Sequence, residues 1–204
     1  MHNEAMKKAS PWLSNWALLG YAVVVGFVWV VGSSAYSRYT RNQAARQHAA
    51  AVPVRHLAAQ IDLAPQLPLQ AITGMRSRGY TTVIDLRPDG EDADEPPSTH
   101  MAQQAQAAGV KFKYVPVPHG DIPEAAVNQL RRELAETQGE QVLLYCRSGR
   151  RAARTWALAE SGRPGGLTVA QILDAVKAAG QDATDLRERL EANMARRVGG
   201  ASST

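Results

Sequence analysis

The feature that most constrains this chain is a run of twenty residues without a charged side chain, LSNWALLGYAVVVGFVWVVG, from Leu13 to Gly32. As a helix, twenty residues span about 30 Å, which matches the hydrocarbon core of a bilayer. Trp12 and Trp16 lie at one end of the run, and Tyr36 and Tyr39 lie just beyond the other. Aromatic residues of this kind form belts at membrane interfaces. The run therefore predicts one transmembrane helix over residues 13–32.

A cleaved signal peptide is the alternative, since two lysines precede the run and the segment 33–35, Ser-Ser-Ala, is similar to a cleavage site. The length of the run and its bulky aromatic residues favour a retained anchor. Arg38, Arg41 and Arg46 follow the run and outnumber the two lysines before it. Because positive residues concentrate on the cytoplasmic side of a membrane, we expect a single-pass protein whose C-terminal domain lies in the cytoplasm.

The composition is that of an ordinary globular chain. Its 204 residues, of which 45% are hydrophobic and 21% charged, are enough for one domain with a core. The net charge is only +4, and no basic run is interleaved with aromatic residues, so we expect no nucleic-acid partner. The single cysteine, Cys146, cannot form an internal disulfide, and no Cys/His cluster has metal-ligand spacing. We therefore expect neither a metal nor another cofactor.

Beyond the apolar run, segments typical of strands alternate with segments typical of helices. The predicted organisation is a tail (1–12), the transmembrane helix (13–32), a polar juxtamembrane linker (33–56), a folded domain (57–197) and a loose tail (198–204). Apolar and β-branched residues predict strands at 61–63, 80–86, 111–117 and 141–145. This alternation predicts an α/β fold with a central, mostly parallel sheet flanked by helices. Near the end, Thr168 and Gln171 predict a capping box at the start of a helix.

The segment VLLYCRSGRRAAR, residues 142–154, places Cys146 between a core strand and a helix. Backbone N–H groups and the helix dipole at such a junction favour an anion. Ser148 and Gly149 suit a tight loop, and the arginines around them add positive charge. Together these features favour the thiolate, which is the nucleophilic form of cysteine. The alternative is a small, inert core residue beside solvated arginines.

At these residues the chain resembles the beta-lactamase hydrolase-like phosphatase domain family, a bacterial branch of the cysteine-phosphatase superfamily. The similar segments are TVIDLRPDGE (82–91), AAGV (107–110), YVPV (114–117), GDIPEAAV (120–127), CRSGRR (146–151) and TVAQIL (168–173). The resemblance covers about Ile61 to Leu190 and implies a cysteine-phosphatase-like fold. For an anchored bacterial chain, the expected location is the inner membrane.

Carried over residue by residue, the resemblance makes Cys146 the nucleophile and Arg151 the arginine that binds the oxyanion. The anion-binding loop would contain Arg147, Ser148, Gly149 and Arg150. Asp121 lies where the family's acid would protonate the leaving oxygen. A helix cap is the alternative role for Asp121, and His119 could supply the proton instead. Asp85 and Arg87 are expected to shape the end of the sheet.

Three details leave the reaction open. Arg151 follows Cys146 by five positions, the spacing that this family shares with rhodanese-type sulfurtransferases, whereas ordinary tyrosine phosphatases use six. Tyr145 replaces the histidine that usually precedes the phosphatase cysteine, and Ala152 follows the arginine where a hydroxyl residue is frequent.

The first expectation is a membrane-anchored phosphatase that hydrolyses phosphomonoesters, phosphotyrosine among them, through a phosphocysteine. The alternatives are a sulfurtransferase that carries a persulfide on Cys146 and a non-catalytic anion-binding module at the membrane. The partner would accordingly be a phosphorylated or sulfane-sulfur small molecule or protein, together with the lipid bilayer around residues 13–32.

Overall fold

The computed structural model describes residues 11–201, with side chains over residues 20–197. Most of the predicted tails, 1–12 and 198–204, and the side chains of Trp12 and Trp16 lie outside the described residues. The chain divides between Gln43 and Ala44 into two compact units.

The first unit is formed by α1, a helix from Pro11 to Ala51 whose last turns belong to the second unit. Over Gly20–Ala51 the most apolar part has a mean hydropathy of 1.4, and none of that part is buried. By length and composition this helix could cross a bilayer, a requirement that a signal sequence also meets. The expectation of one long apolar helix near the N-terminus is confirmed, and the helix continues through most of the predicted linker.

The second unit is built on a five-stranded sheet. Its strands are β1 (Arg55–Ala58), β2 (Ile61–Ala64), β3 (Thr82–Asp85), β4 (Lys111–Tyr114) and β5 (Val142–Tyr145). The strand order is β1-β2-β5-β3-β4, with β1 antiparallel to β2 and every other pair parallel. This arrangement confirms the predicted α/β fold with a mostly parallel sheet. Sequence patterning did not predict β1, an edge strand of sequence RHLA of which only Leu57 is fully buried.

Six further helices flank the sheet. They are α2 (Leu69–Ile72), α3 (Ser98–Ala107), α4 (Glu124–Glu136), α5 (Arg150–Ser161), α6 (Val169–Ala178) and α7 (Arg187–Ala201), with 3-10 turns at Met75–Arg78 and Thr184–Leu186. The predicted capping box is confirmed at the start of α6. There the Thr168 hydroxyl accepts from the Gln171 N–H at 3.3 Å, and the Gln171 side chain accepts from the Thr168 N–H at 2.9 Å.

Apolar layers cover both faces of the sheet, as is usual for parallel strands. On β5, Leu144 packs into a cluster with residues of α4 to α7, including Trp156, whereas Leu143 and Tyr145 pack into a cluster with α2 and α3. The second cluster also contains Ala49, from the end of α1. Side chains therefore alternate between the two faces of the sheet along β5.

The register of the parallel strands brings three loops to one edge of the sheet. Asp85 at the end of β3 lies opposite Tyr114 of β4 on one side and Tyr145 of β5 on the other. The loops that follow these three strands therefore begin side by side. Cys146 is the first residue of the loop after β5, and the loop after β3, which carries Glu91, begins beside it.

Within the second unit, the last turns of α1 pack closely against Gly74. A Cβ atom on Gly74 would lie 2.2 Å from the Ala45 carbonyl oxygen and 2.6 Å from the Ala49 Cβ. The Arg78 guanidinium donates to the Ala49 and Val52 carbonyl oxygens at 2.6 and 3.0 Å, which satisfies acceptors at the helix end. The helix end is thereby tied to the domain.

Candidate active site

Cys146 lies at the end of the central strand and is completely buried. The loop from Cys146 leads into α5 through Gly149, which has φ 87° and ψ −22°. Glycine adopts this left-handed conformation without the steric cost that a side chain brings. The space is also limited, because a Cβ atom on Gly149 would lie 3.3 Å from a Leu63 methyl carbon and 3.2 Å from the Gln181 amide nitrogen. The backbone conformation therefore favours glycine, and a side chain would also displace Leu63 or Gln181 slightly.

The first turn of α5 brings Arg151 to Cys146. Arg151 Nη1 donates to Glu91 Oε1 at 2.5 Å and to the Val117 carbonyl at 2.6 Å, and Nη2 donates to Glu91 Oε2 at 2.6 Å. Burial opposes the positive charge, but the hydrogen bonds and charges of Glu91 and Cys146 outweigh it and raise the pKa of Arg151. The structure thus brings the predicted nucleophile and the predicted anion-binding arginine together.

The hydrogen bonds of Arg151 to Glu91 and Val117 involve only its two terminal nitrogens. Glu91 occupies the edge formed by the two terminal nitrogens, and Val117 takes the second hydrogen of Nη1. Among the described residues, these hydrogen bonds do not use Nε or the remaining Nη2 hydrogen, which form the other edge. Two parallel N–H donors of this kind match two oxygens of a phosphate or another oxyanion.

Glu91 connects Arg151 to a second, buried arginine. Arg87 donates to Glu91 Oε2 at 3.1 Å, and its Nη1 donates to Gln66 Oε1 at 2.9 Å. The backbone N–H of Gln66 donates in turn to the Arg147 carbonyl in the anion loop at 3.2 Å. The hydrogen bond from Arg151 is the main reason that the pKa of Glu91 is lowered. Glu91 is therefore held as a carboxylate between two guanidinium groups.

Sequence reasoning missed Glu91 and Gln66. Glu91 stands in the acidic loop RPDGEDADEPPS, where nothing in the local pattern separates it from the other carboxylates. Arg87 was expected to shape the end of the sheet, and its contacts agree with that role.

The four arginines near Cys146 separate into different environments. Arg147 and Arg150 are exposed to solvent, and Arg147 Nε lies 3.6 Å from Asp92. Arg154 makes a bidentate pair with Asp185 at 2.5 and 2.6 Å. Among these arginines, Arg151 is the one that is bound to Glu91 and to the Val117 carbonyl.

The acid candidates lie on the loop after β4, in different surroundings. The Asp121 side chain is 90% exposed, and its carboxylate accepts from the Ile122 N–H at 2.9 Å and from Arg189 at 3.2 Å. His119 is also exposed, with Nε2 3.5 Å from Glu91 Oε1. In this structure His119 therefore lies beside the Arg151 network, whereas Asp121 is bonded to α7.

Tyr145 and Asp85 lie beneath the loop on the far side of β5. Tyr145 belongs to one core cluster and Cys146 to the other, so the phenol ring projects away from the face that carries the thiol. Burial raises the pKa of Asp85 to about 7, although the Arg87 N–H donates to its carboxylate at 2.8 Å. Burial and the neighbouring Asp85 also raise the pKa of Tyr145. The residue that replaces the usual histidine is thus a core residue.

A central parallel strand that ends at a buried cysteine, a tight loop, and a helix that returns an arginine to that cysteine define the cysteine-phosphatase type of fold. The model of the family described as "Beta-lactamase hydrolase-like protein, phosphatase-like domain" matches residues 53–163. The chain belongs to this family, which confirms the resemblance drawn from the sequence.

Individual relatives agree with this assignment. A beta-lactamase hydrolase-like protein of Xylella fastidiosa is 41% identical over 83 residues, which are 41% of this chain and 19% of that protein. The crystal structure of a candidate phosphatase from Neisseria meningitidis is 30% identical, with a TM-score of 0.57 over 68% of this chain and 96% of that one. A Shewanella putrefaciens structure, at 19% identity, matches in fold with a TM-score of 0.58 over 74% of this chain and 97% of that one. The matched segment spans only about a fifth of the curated relative's length.

Proposed function

We propose that this protein is a cysteine-dependent phosphatase that hydrolyses phosphomonoesters, with a phosphorylated small molecule or a phosphoprotein, including phosphotyrosine, as its substrate. The observation that carries the proposal is the placement of the buried Cys146 directly before the loop that leads to Arg151, whose guanidinium is fixed by Glu91 and Val117. The phosphatase-like family of the domain supports the same class of reaction.

In the proposed reaction, the Cys146 thiolate attacks phosphorus and the ester oxygen leaves with the electrons of its bond to phosphorus. The phosphoryl oxygens are bound by Arg151 and by backbone N–H groups of the loop formed by Arg147, Ser148, Gly149 and Arg150. Water then attacks the phosphocysteine, which releases inorganic phosphate and restores the thiolate.

We propose Asp121 as the acid that protonates the leaving oxygen, because an alkoxide or phenoxide leaves poorly without a proton. In the structure Asp121 is bound to Arg189, so this role requires the ion pair to open. His119 is the second candidate, since it lies beside Glu91 at the Arg151 network.

We also propose that residues 13–32 anchor the protein in the bacterial inner membrane, with the domain on the cytoplasmic side. The apolar helix and the arginines that follow it support this placement. A mature chain of the full 22.0 kDa in the membrane fraction would support the anchor. A shorter, freely soluble chain would indicate a cleaved signal peptide.

The proposed reaction is tested with the full chain by assaying hydrolysis of p-nitrophenyl phosphate beside sulfur transfer from thiosulfate to cyanide. We expect Cys146→Ser to reduce hydrolysis by about 10³-fold or more, because the nucleophile is removed while binding groups remain. Arg147→Gln, a change in an exposed arginine of the same loop, is the comparison and should have a much smaller effect.

Other results would redirect the assignment. Sulfur transfer that depends on Cys146, without hydrolysis, would favour a sulfurtransferase, in agreement with the five-position spacing of Arg151. If neither reaction exceeds the Cys146→Ser background, but phosphate still binds, the domain is an anion-binding module.

A further inference from the structure

One arginine of α7 contacts the loop that carries the proposed acid. Arg189 Nη1 lies 3.2 Å from Asp121 Oδ1, and its Nη2 donates to the Ile122 carbonyl at 3.2 Å. The same nitrogen lies 3.9 Å from Glu124 Oε2 at the start of α4. A single guanidinium therefore lies against Asp121 and Ile122 of the loop and against Glu124 at the start of α4.

The segment that contains Arg189 also contacts the anion loop. Gln181, which follows α6, donates to the Ser148 carbonyl at 3.2 Å, and its amide lies against Gly149. Gln181 and Arg189 both lie beyond residue 163, where the match to the family model ends. The C-terminal segment thus contacts the loop of the nucleophile at one point and the loop of the proposed acid at another.

The contact with Arg189 opposes the chemistry proposed for Asp121. An acid must reach the leaving oxygen, whereas the hydrogen bond from Arg189 holds the Asp121 carboxylate at α7. Among the described residues, the recorded hydrogen-bond partners of the Asp121 carboxylate are Arg189 and the N–H of Ile122. Release of Asp121 from Arg189 would therefore allow the carboxyl group to move toward the leaving oxygen.

We propose that Arg189 is a positioning residue that holds Asp121 in a resting place, and that this ion pair opens in each turnover. The proposal rests on the proposed function, in which Asp121 is the acid of a Cys146-dependent phosphatase. Arg189 acts only through Asp121 and the loop around it.

Exposure limits the size of the effect. The side chains of Arg189 and Asp121 are 39% and 90% exposed, and ion pairs in such positions are weak and screened by salt. We therefore expect loss of the pair to raise turnover by about two- to fivefold, the range that corresponds to a weak surface ion pair.

The test compares kcat of the full chain in detergent for phenyl phosphate and p-nitrophenyl phosphate. Phenolate is the poorer leaving group, so its departure depends more on the acid. Arg189→Gln should raise kcat for phenyl phosphate by about two- to fivefold, with a smaller gain for p-nitrophenyl phosphate. Arg189→Lys should lie between this variant and the unmodified protein.

Two controls accompany the variants. Arg187→Gln changes a neighbouring arginine of α7 whose recorded partner is Glu191 at 3.9 Å, and it should leave kcat unchanged. Raising the salt concentration from about 50 mM to about 500 mM should increase kcat of the unmodified protein and have less effect on Arg189→Gln, because salt screens the pair.

Asp121→Asn separates the two ways in which the proposal can fail. If Asp121→Asn lowers kcat for phenyl phosphate but Arg189→Gln does not raise it, the role of Arg189 is wrong and Asp121 remains the acid. If Asp121→Asn has no effect, Asp121 is not the acid, and the role of Arg189 is overturned with it. Cys146→Ser is assayed in the same experiment. Loss of hydrolysis in this variant would support Cys146 as the nucleophile whatever the results for Asp121 and Arg189.

Discussion

At the scale of single residues, Glu91 fixes the orientation of Arg151 in the candidate active site. It occupies the end of the Arg151 guanidinium with both carboxylate oxygens and also accepts from the buried Arg87. A guanidinium held at one edge presents its other edge in a constant direction, which favours bidentate recognition of an oxyanion. The geometry of Arg151 therefore depends on a carboxylate sixty residues before it in the chain.

The first prediction concerns this carboxylate. Glu91→Gln keeps the size of the side chain but removes the charge and one acceptor, so Arg151 should lose its fixed direction. Because hydrogen bonds to charged groups contribute about 1.5–3 kcal/mol, we expect kcat/KM for p-nitrophenyl phosphate to fall by about 10- to 100-fold. Asp94→Asn, an exposed change in the same acidic loop, is the control. Equal activity of Glu91→Gln and the unmodified protein would show that Glu91 does not orient Arg151.

At the scale of elements, the loop between β5 and α5 depends on Gly149. Its positive φ is unfavourable for a residue with a side chain, and Leu63 and Gln181 approach the place where a Cβ atom would lie. Gly79, at the end of the turn Met75–Arg78, has a similar φ of 94° but open space around it. A substitution at Gly79 therefore reports the cost of the backbone conformation alone, whereas the same substitution at Gly149 adds the cost of crowding by Leu63 and Gln181.

The second prediction uses this pair. Gly79→Ala should lower the free energy of unfolding by about 1–2 kcal/mol, the cost of a left-handed alanine, and leave kcat unchanged. Gly149→Ala should lower it by at least as much and also reduce kcat, because the anion loop must move. Urea unfolding and p-nitrophenyl phosphate hydrolysis measure the two effects. A fully active Gly149→Ala variant would mean that the loop tolerates the added atom.

The elements themselves were largely predictable. The buried strands β3 and β5 and the capping box of α6 follow from local patterns of apolar residues and caps, and the structure has all three. The edge strand β1 was missed because four residues with mixed exposure carry no clear alternation. Its pairing with β2 depends on a turn at Gln60, which has a φ of 61°.

At the scale of the whole molecule, Asp85 couples folding to pH. The residue is 2% exposed, and burial raises the pKa of its carboxyl group from 3.8 to about 7. Between these values the folded protein keeps the proton that the unfolded chain releases. The contribution of Asp85 to stability is therefore full below about pH 4 and is lost as the pH rises to about 7.

The third prediction follows from this loss of stability with rising pH. The asparagine of the Asp85→Asn variant keeps an oxygen that can accept a hydrogen bond from the Arg87 N–H. Unlike the aspartate, it cannot ionise. At pH 8 we expect its free energy of unfolding to exceed that of the unmodified protein by about 1–3 kcal/mol, and near pH 4 to be similar. Urea unfolding at both pH values measures the difference. An equal pH dependence in the two proteins would rule out ionisation of Asp85 as the cause.

The sequence by itself determined the α/β order of the domain, the apolar helix and the strand–loop–helix junction at Cys146. These features depend on residues close together in the chain, so composition and periodicity report them. Only the tertiary structure decided which carboxylate meets each arginine of the site. Glu91 reaches Arg151 across sixty residues and Arg189 reaches Asp121 across sixty-eight, and such ion pairs depend on how the loops at the sheet edge and the C-terminal helix pack together. Local patterns contain no signal for that choice, because the acidic residues of a solvated loop are alike until the fold brings one of them to a partner.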